Sequence, residues 1–129
     1  MNLLTDTHAL VWFTDGDPQL PAAARTALGD PANAVFVSPA AYWEIAIKVH
    51  LGKWRLNLPY HVYTDTVFKV YGFRELPIRP DQTARLIGLP NHHNDPFDRL
   101  MAVQCLADQL TIGSGDTKFD LYGVTRIWV

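Results

Sequence analysis

The fold of this chain is most constrained by two short apolar segments, each of which runs directly into a helical segment. Residues 2–5, NLLT, are predicted to form a strand that is followed at once by the helical DTHALVWF. Residues 34–38, AVFVS, form a second predicted strand, which opens into the helix PAAYWEIAIKVHLG, with Pro39 suited to its first turn and Gly52 to its end. This alternation indicates an α/β fold with a mainly parallel sheet buried between helices.

The rest of the chain continues the same alternation. Hydrophobic spacing and the positions of proline and glycine predict helices over residues 21–29, 60–73, 80–88 and 96–109, an extended segment over 73–78, and strands over 110–114 and 125–129. No repeat, low-complexity tract or Gly/Ser linker divides the sequence, and 129 residues suffice for one hydrophobic core. We therefore predict a single domain, residues 1–129.

Composition excludes some classes of protein and leaves others open. The apolar stretches are far shorter than the about 20 residues of a membrane span, and the start MNLLTD lacks the basic region of a secretory signal. The single cysteine, Cys105, can form neither an internal disulfide nor a Cys-rich zinc site, which suits a reducing cytoplasm. The net charge of -2 does not exclude nucleic acid, because four acids gathered in a metal-filled pocket would leave nine acids against 11 basic residues.

Four acidic residues fall near element ends that a parallel sheet would bring together. Function in such sheets gathers at the carboxyl ends of the strands. Asp6 ends the first strand and Asp116 follows a late one, whereas Glu44 lies two turns into the helix after the second strand. Asp98 lies in the first turn of its own helix. These four acids are the candidate site residues.

Each acid also has a structural interpretation. Asp6 can cap the N-terminus of its helix, and Asp116, in SGD, can begin a turn or a helix. Glu44 can form an i,i+4 ion pair with Lys48, although its other neighbours are mostly apolar and a carboxylate there is costly without a compensating positive charge. Asp98 can complement the helix dipole. No single acid, taken alone, distinguishes a structural role from a catalytic one.

Helix geometry separates the two aspartates of DPFD. Pro96 is suited to the first helical position, which makes Asp95 the N-cap and places Asp98 third in the helix. Asp98 then shares a helix face with residues that we expect to be buried: Met101, Ala102 and Cys105. Asp95 therefore has a complete structural role, and Asp98 is the candidate for chemistry.

The adjacent histidines of NHHNDPFDRL raise the possibility of zinc. Adjacent side chains on an extended chain point in different directions, and no HExxH spacing is present. We expect His92, His93 and Arg99 to contact phosphate at the rim of an acidic pocket instead. The basic residues after Glu44 could do the same or could form a solvated helix end: Lys48, Lys53 and Arg55.

Several aromatic residues have two possible roles. Trp12, Phe13 and Trp54 could be core residues or could line a groove for a partner, whereas Trp43 is expected in the core. His8 stands beside apolar residues, so packing or hydrogen bonding is a better expectation for it than metal binding.

Taken together, four segments resemble the acidic motifs of PIN domains: LLTDTHALVW, YWEIAIK, DPFDRLMAVQ and SGDTKF. The resemblance extends over nearly the whole chain and includes the small bacterial VapC-type toxins, ribonucleases that are paired with an antitoxin. It implies a PIN-like three-layer fold. It also places the family's acids at Asp6, Glu44, Asp98 and Asp116, with Ser114 where the family usually has threonine or serine.

The resemblance implies a function as well. We expect a metal-dependent endoribonuclease that hydrolyses RNA with Mg²⁺ or Mn²⁺, forms a homodimer in the cytoplasm and is held in check by a cognate antitoxin. Because Mg²⁺ commonly takes one or two protein carboxylates, Asp6 and Asp98 are expected to be its most direct ligands. Glu44 and Asp116 would complete the site with a second ion or the attacking water.

Two alternative functions remain. A receiver-like signalling domain would need paired acids after the first strand, where this chain has Asp6 alone, and a lysine directly after a late strand, which Lys118 is not. A catalytically silent binding module would use the four acids as caps and surface ion pairs. The motif SGD also departs from the family's threonine, any residue, aspartate pattern, because a serine and a flexible glycine precede Asp116.

Overall fold

The central sheet consists of five short strands. In the computed structural model, which describes residues 1–129, they are β1 (Asn2–Thr5), β2 (Ala34–Val37), β3 (Arg74–Glu75), β4 (Thr111–Gly113) and β5 (Arg126–Ile127). Their order across the sheet is β3-β2-β1-β4-β5, and every neighbouring pair is parallel. The predicted mainly parallel sheet is therefore confirmed.

Six α-helices flank the sheet: α1 (Thr7–Asp15), α2 (Ala22–Gly29), α3 (Pro39–His50), α4 (Tyr60–Asp65), α5 (Pro80–Ala84) and α6 (Pro96–Asp108). The chain continues from α4 as a π-helical turn, Thr66–Val70, and from α5 as a 3-10 turn, Arg85–Gly88. A further 3-10 helix, Thr117–Tyr122, follows β4. None of the helices has the length and apolar character needed to cross a bilayer.

Two adjacent residues of β1 anchor hydrophobic cores on opposite faces of the sheet. Leu3 belongs to a core of 14 buried residues, to which α1, α2, α3 and α4 contribute. Leu4 belongs to a second core of 10 buried residues, to which α6 contributes Met101, Ala102 and Cys105. Successive side chains of a strand point to opposite faces, so a strand covered on both sides buries consecutive apolar residues, as Leu3 and Leu4 do. The fold thus has the predicted three layers.

Several element boundaries differ from the predictions. The edge strands β3 and β5 contain two residues each instead of the predicted segments 73–78 and 125–129, because each pairs with a single neighbour over two residues. The predicted helix 60–73 is divided into α4 and the π-helical turn, and it ends before Gly72, whose φ of 70° is left-handed.

The prediction that Trp43 lies in the core is wrong. Its side chain is 59% exposed and packs edge-on against Phe97, with the ring centroids 5.2 Å apart. The residues that α3 buries include Ala40, Ala41 and Ile45. At about 100° per residue, position 43 points roughly 160° away from Ala41 and Ile45, so its side chain leaves the buried face.

The strand order creates a switch point between β1 and β4. From β1 the chain builds β2 and β3 on one side of the sheet, and it later returns to build β4 and β5 on the other. Ligand sites of open parallel sheets lie at such a point, outside the carboxyl ends of the strands. Asp6 directly follows β1, and residues 114–116 directly follow β4. Asp6 and Asp116, which are far apart in the sequence, therefore lie close together at the switch point.

Candidate functional site

A polar cleft of about 300 Å³ opens at the switch point. None of the eight residues that line it is hydrophobic: Asp6, Thr7, His8, Glu44, Lys48, Asp95, Asp98 and Asp116. The structure thus brings the four candidate acids together and adds a fifth, Asp95. We call this space the acidic cleft, because five carboxylates in it face one lysine.

Asp6 both starts α1 and lines the acidic cleft. Its Oδ1 accepts a hydrogen bond from Ala9 N at 2.7 Å, so the structural interpretation as a helix cap is correct. Burial raises the pKa of Asp6, while the Ser114 hydroxyl and the Ala9 N–H oppose the rise by favouring the carboxylate. Because the cap uses one carboxylate oxygen, capping and ligand binding are compatible in this residue.

Glu44 is held in the acidic cleft from two sides. Thr7 Oγ1 donates a 2.7 Å hydrogen bond to Glu44 Oε1, and Lys48 Nζ lies 3.7 Å from Glu44 Oε2. The expected i,i+4 ion pair therefore exists, but Glu44 is 6% exposed, unlike an ordinary surface partner. A buried carboxylate with one hydroxyl donor and one ammonium group at 3.7 Å can still accept a further positive charge.

The start of α6 has the predicted geometry. Pro96 occupies the first turn, and Asp95 Oδ1 caps the helix by accepting a hydrogen bond from Phe97 N at 2.8 Å. Asp98 follows in the same turn, on the side of the helix that faces the cleft. The helix start therefore supplies two carboxylates to the cleft, although Asp95 was expected to have a structural role alone.

The acidic cleft strongly affects the ionisation of Asp98. Burial raises the pKa of Asp98 to about 7, and like-charge repulsion adds to the rise. The repelling carboxylates, from the largest contribution to the smallest, are those of Asp95, Glu44, Asp116 and Asp6. A cation bound among them would remove this repulsion and favour the ionised form.

Asp116 is fixed by hydrogen bonds on both carboxylate oxygens. Its Oδ1 accepts from Lys118 N at 2.9 Å and so caps the 3-10 helix, and its Oδ2 lies 2.7 Å from His93 Nε2. Its own N–H donates to Ser114 Oγ at 3.0 Å. Partial burial raises the pKa of Asp116, but the Lys118 N–H and His93 outweigh that effect, so its pKa lies below the ordinary value. Asp116 is thus an oriented carboxylate.

His93 lies behind Asp116 in the protein interior. Its ring is buried, and Nδ1 lies 3.2 Å from the hydroxyl of Tyr122, which also accepts a 2.9 Å hydrogen bond from His93 N. One potential ligand atom from each of His93, Asp98 and Asp116 lies within 4.8 Å of the other two. His92 is not part of this group, so the two adjacent histidines do not form a joint metal site.

Gly115 has a steric function in the SGD motif. A Cβ atom at this position would lie 2.9 Å from Cε2 of Trp128, closer than side chains approach each other. The φ of Gly115 is not in the left-handed region, so the backbone does not require glycine here. The glycine that we interpreted as flexible is instead needed because the Trp128 indole packs directly against the loop.

A comparison with protein families agrees with the four acidic motifs. The model of the PIN domain matches residues 3–124, which include Asp6, Glu44, Asp98 and Asp116. The chain belongs to the PIN domain family. The family predicted from the four sequence segments is therefore confirmed. No curated protein matches this PIN domain closely enough to count as a relative.

Solved structures of three complexes resemble this PIN domain. VapBC2 from Rickettsia felis, bound to a DNA fragment from its promoter, has a TM-score of 0.74 at 14% identity, and the match covers 100% of both chains. VapBC-1 from nontypeable Haemophilus influenzae has a TM-score of 0.68 at 15% identity and covers 98% of this chain and 97% of that one. FitAcB from Neisseria gonorrhoeae has a TM-score of 0.65 at 18% identity, with 97% and 96% covered. At such low identity, the likeness shows a shared fold.

The remaining candidate residues of this PIN domain lie outside the acidic cleft. Arg99 donates to Pro90 O at 3.0 Å and to Leu89 O at 3.3 Å, so its guanidinium holds the loop before α6. His92 packs edge-on against Tyr122, with centroids 4.8 Å apart. Ser114 is fully buried and supports the Asp116 loop. These placements do not put the three side chains where a phosphate in the cleft would contact them.

Three residues that line the acidic cleft were not among the candidates. Thr7 and His8 directly follow Asp6, and a helix start that brings one side chain into a cleft also brings its neighbours close. Asp95 was assigned to helix capping alone, although Asp6 shows that a cap can also line the cleft. Because an N-cap aspartate can have both roles, the sequence could have indicated Asp95 as a residue of the cleft.

Proposed function

We propose that this PIN domain is a divalent-metal-dependent endoribonuclease and the toxin of a toxin–antitoxin pair. PIN domains are nucleases, which supports phosphodiester hydrolysis as the reaction. The observation that carries the proposal is the acidic cleft, where five carboxylates converge at the switch point of the sheet with one lysine beside them. A catalytically silent module would have no need to concentrate charges that repel each other.

The donor set of the acidic cleft fits a hard divalent cation. Mg²⁺ and Mn²⁺ prefer carboxylate oxygens and water to nitrogen or sulfur. Asp6 accepts hydrogen bonds from Ala9 N and the Ser114 hydroxyl and still has lone pairs for a cation, and Asp98 takes part in none of the hydrogen bonds of the cleft. We propose these two residues as direct ligands, with Glu44 and Asp116 completing the site. A bound cation would supply charge neutralisation at the phosphate and activation of the attacking water.

Other residues of the cleft would keep the carboxylates in position. His93 and the Lys118 N–H hold Asp116 in its ionised form, and Thr7 fixes one oxygen of Glu44. Lys48 lies at the edge of the cleft, where its ammonium group is suitably placed to attract the phosphodiester of an RNA. The protein thus arranges oxygen ligands and one positive charge around the space where the phosphate would bind.

The toxin role rests on the structural neighbours. These neighbours are VapBC and FitAcB complexes, and we propose that this chain likewise binds a cognate antitoxin and forms a homodimer. An antitoxin segment that carries a basic side chain would complement the five carboxylates of the acidic cleft. Blocking the cleft in this way would hold the nuclease inactive.

The nuclease activity can be tested by RNA cleavage with Mg²⁺ or Mn²⁺. We expect Asp6→Asn and Asp98→Asn to lower the rate by at least roughly 100-fold, since loss of a direct ligand should exceed the effect of losing an outer partner. EDTA should abolish cleavage. Circular dichroism of each variant provides the folding control. Undiminished cleavage in both folded variants, or in EDTA, would contradict the proposed site.

The toxin role needs a separate test in cells. Expression of the chain alone in a bacterium should arrest growth, and co-expression of the neighbouring gene should restore it. Asp98→Asn should cause no arrest at the same protein level. If wild type and Asp98→Asn both leave growth unaffected while wild type cleaves RNA in vitro, the domain is a nuclease that is not a toxin.

A further inference from the structure

A cluster of aromatic side chains lies directly beside the acidic cleft. The ring of His8 lies 5.7 Å from the ring of Trp12 and 5.3 Å from that of Trp54, centroid to centroid, and Trp12 lies 6.0 Å from Trp128. The three tryptophans are half-buried and His8 is exposed. We call these four residues the aromatic groove. All three indoles pack against the core that contains Leu3, and each leaves part of its surface exposed.

The aromatic groove is continuous with the acidic cleft. A second cleft of about 270 Å³ is lined by the acids Asp6 and Asp116 on one side and by His8, Trp12, Gly115 and Trp128 on the other. A molecule bound against the two indoles would therefore lie beside the carboxylates that we assign to catalysis.

Positive charges lie on the other side of the aromatic groove. A third cleft of about 230 Å³ joins His8 and Trp12 to Trp54, Lys53 and Arg55. Lys48 Nζ lies 4.9 Å from the ring centroid of Trp54, so this lysine connects the acidic cleft with the aromatic groove. Asp15 and Asp17 also line the third cleft, so its charge is mixed and the indoles are its distinguishing feature.

We propose that the aromatic groove binds an unpaired base of single-stranded RNA, next to the phosphodiester in the acidic cleft. This inference rests on the proposed function. Unstacked bases of single-stranded RNA stack on aromatic side chains, and nearby lysine and arginine contact the backbone. A paired base inside a duplex could not reach the indoles. The groove would therefore restrict cleavage to unpaired segments, with little preference among the four bases.

Gly115 supports this assignment. The Trp128 indole occupies the space that any side chain at position 115 would need, which sets the indole against the loop that carries Asp116. A base stacked on Trp128 would thus be held at a set distance from the catalytic carboxylate. A protein partner is the competing occupant, but it does not require the flat ring faces that a base would stack on.

The test compares binding of two fluorescein-labelled octamers, one a single-stranded RNA and the other an abasic octamer of equal charge. All variants are made in the Asp98→Asn chain in Mg²⁺ buffer, so that the probe stays intact. We expect Trp12→Leu and Trp128→Leu each to weaken RNA binding about 5- to 100-fold and to leave abasic binding unchanged. Trp12→Phe and Trp128→Phe should retain most of the affinity. Trp43→Leu, an exposed tryptophan outside the groove, is the matched control and should bind as the parent does.

Several results would overturn the proposal. The leucine variants could bind RNA as tightly as the parent, the abasic octamer could bind as well as RNA, or both octamers could lose affinity equally. If RNA binding were unchanged but the growth-restoring partner no longer bound the leucine variants, the groove would be a protein-docking surface. Failure of the nuclease proposal is distinct, because it is read from metal-dependent cleavage with the tryptophans intact.

Discussion

His93 Nε2 lies 2.7 Å from Oδ2 of Asp116, and the opposite nitrogen of the same ring faces the hydroxyl of Tyr122. A neutral imidazole satisfies both contacts by donating to Asp116 from Nε2 and accepting from Tyr122 at Nδ1. The arrangement orients a carboxylate of the acidic cleft from behind, as outer partners orient metal ligands in other proteins. It gives a buried loop histidine a positioning function.

Replacement of His93 should therefore weaken metal binding without removing a proposed ligand. We expect His93→Ala to lower Mn²⁺ affinity by roughly 10- to 100-fold, because Asp116 loses the partner that fixes its orientation. Isothermal titration calorimetry measures the affinity. His92→Ala is the matched control, since His92 does not contact Asp116. Equal affinities in the two variants would show that His93 has a structural role only.

Metal-free protein should lose stability as pH rises from about 4 to about 7. In this window the native state keeps Asp98 protonated, because its pKa is about 7, whereas the unfolded chain ionises it near 3.8. The native state then binds more protons than the unfolded state, so the free energy of unfolding falls as pH increases. Urea unfolding in EDTA at pH 5 and pH 7.5 measures the change. Asp98→Asn should reduce the difference, and an unchanged pH dependence in that variant would contradict the assignment.

Asp95→Asn should lower the pKa of Asp98 and leave α6 intact. Asparagine caps helices about as well as aspartate, so the hydrogen bond to Phe97 N is retained while the strongest repelling charge is removed. NMR titration of the Asp98 carboxyl carbon in metal-free protein reports the shift. Asp95→Ala provides the contrast, because it also removes the cap and should cost about 0.5–2 kcal/mol of stability. A pKa that stays near 7 in Asp95→Asn would show that repulsion from Asp95 does not contribute to it.

Divalent metal should raise the thermal stability of the protein. A ligand that binds the native state alone adds about 2.7 kcal/mol at 100 times its dissociation constant, which is about 10 °C for a domain of this size. Calorimetry with and without Mn²⁺ measures the shift. Asp6→Asn should respond much less, because a proposed ligand is lost. A similar stabilisation of wild type and Asp6→Asn would place the metal elsewhere.

Gly115→Ala should destabilise the protein through Trp128. The added methyl group collides with the indole, and overpacking of this kind typically costs about 1–3 kcal/mol. Urea unfolding measures the loss, and Gly88→Ala, where a Cβ meets open space, is the control. If the collision is the cause, the cost of Gly115→Ala should largely disappear in a Trp128→Ala background. An equal cost in both backgrounds would point to the backbone instead.

The sheet and the meeting of the four acids could be predicted from sequence for the same reason. β1 and β4 are short and apolar, and each is followed within three residues by an aspartate. Parallel pairing necessarily places both carboxylates at one edge. The positions of Glu44 and Asp98 could not be predicted from the strand ends, because they depend on how α3 and α6 pack. The family resemblance supplied that information.

The roles of loop and surface residues could not be predicted in this way. His93 lies in a segment without periodicity, so nothing local indicates that its ring turns inward to Asp116. Trp43 was assigned to the core from its residue type, whereas the direction of its side chain is set by which face of α3 is buried. Gly115 was interpreted as flexible because no neighbour in the sequence indicates that an indole fills the space beside it. That indole belongs to Trp128, which is 13 residues further along the chain.

The β1–β4 pairing also makes formation of the acidic cleft depend on the whole sheet being folded. Asp6 and Asp116 are 110 positions apart, and they become neighbours only when Leu4 pairs with Ile112 in the middle of the sheet. A partly folded chain can contain α1, α3 and α6 and still lack one wall of the cleft. The cleft is therefore complete only in a chain whose sheet has closed between β1 and β4.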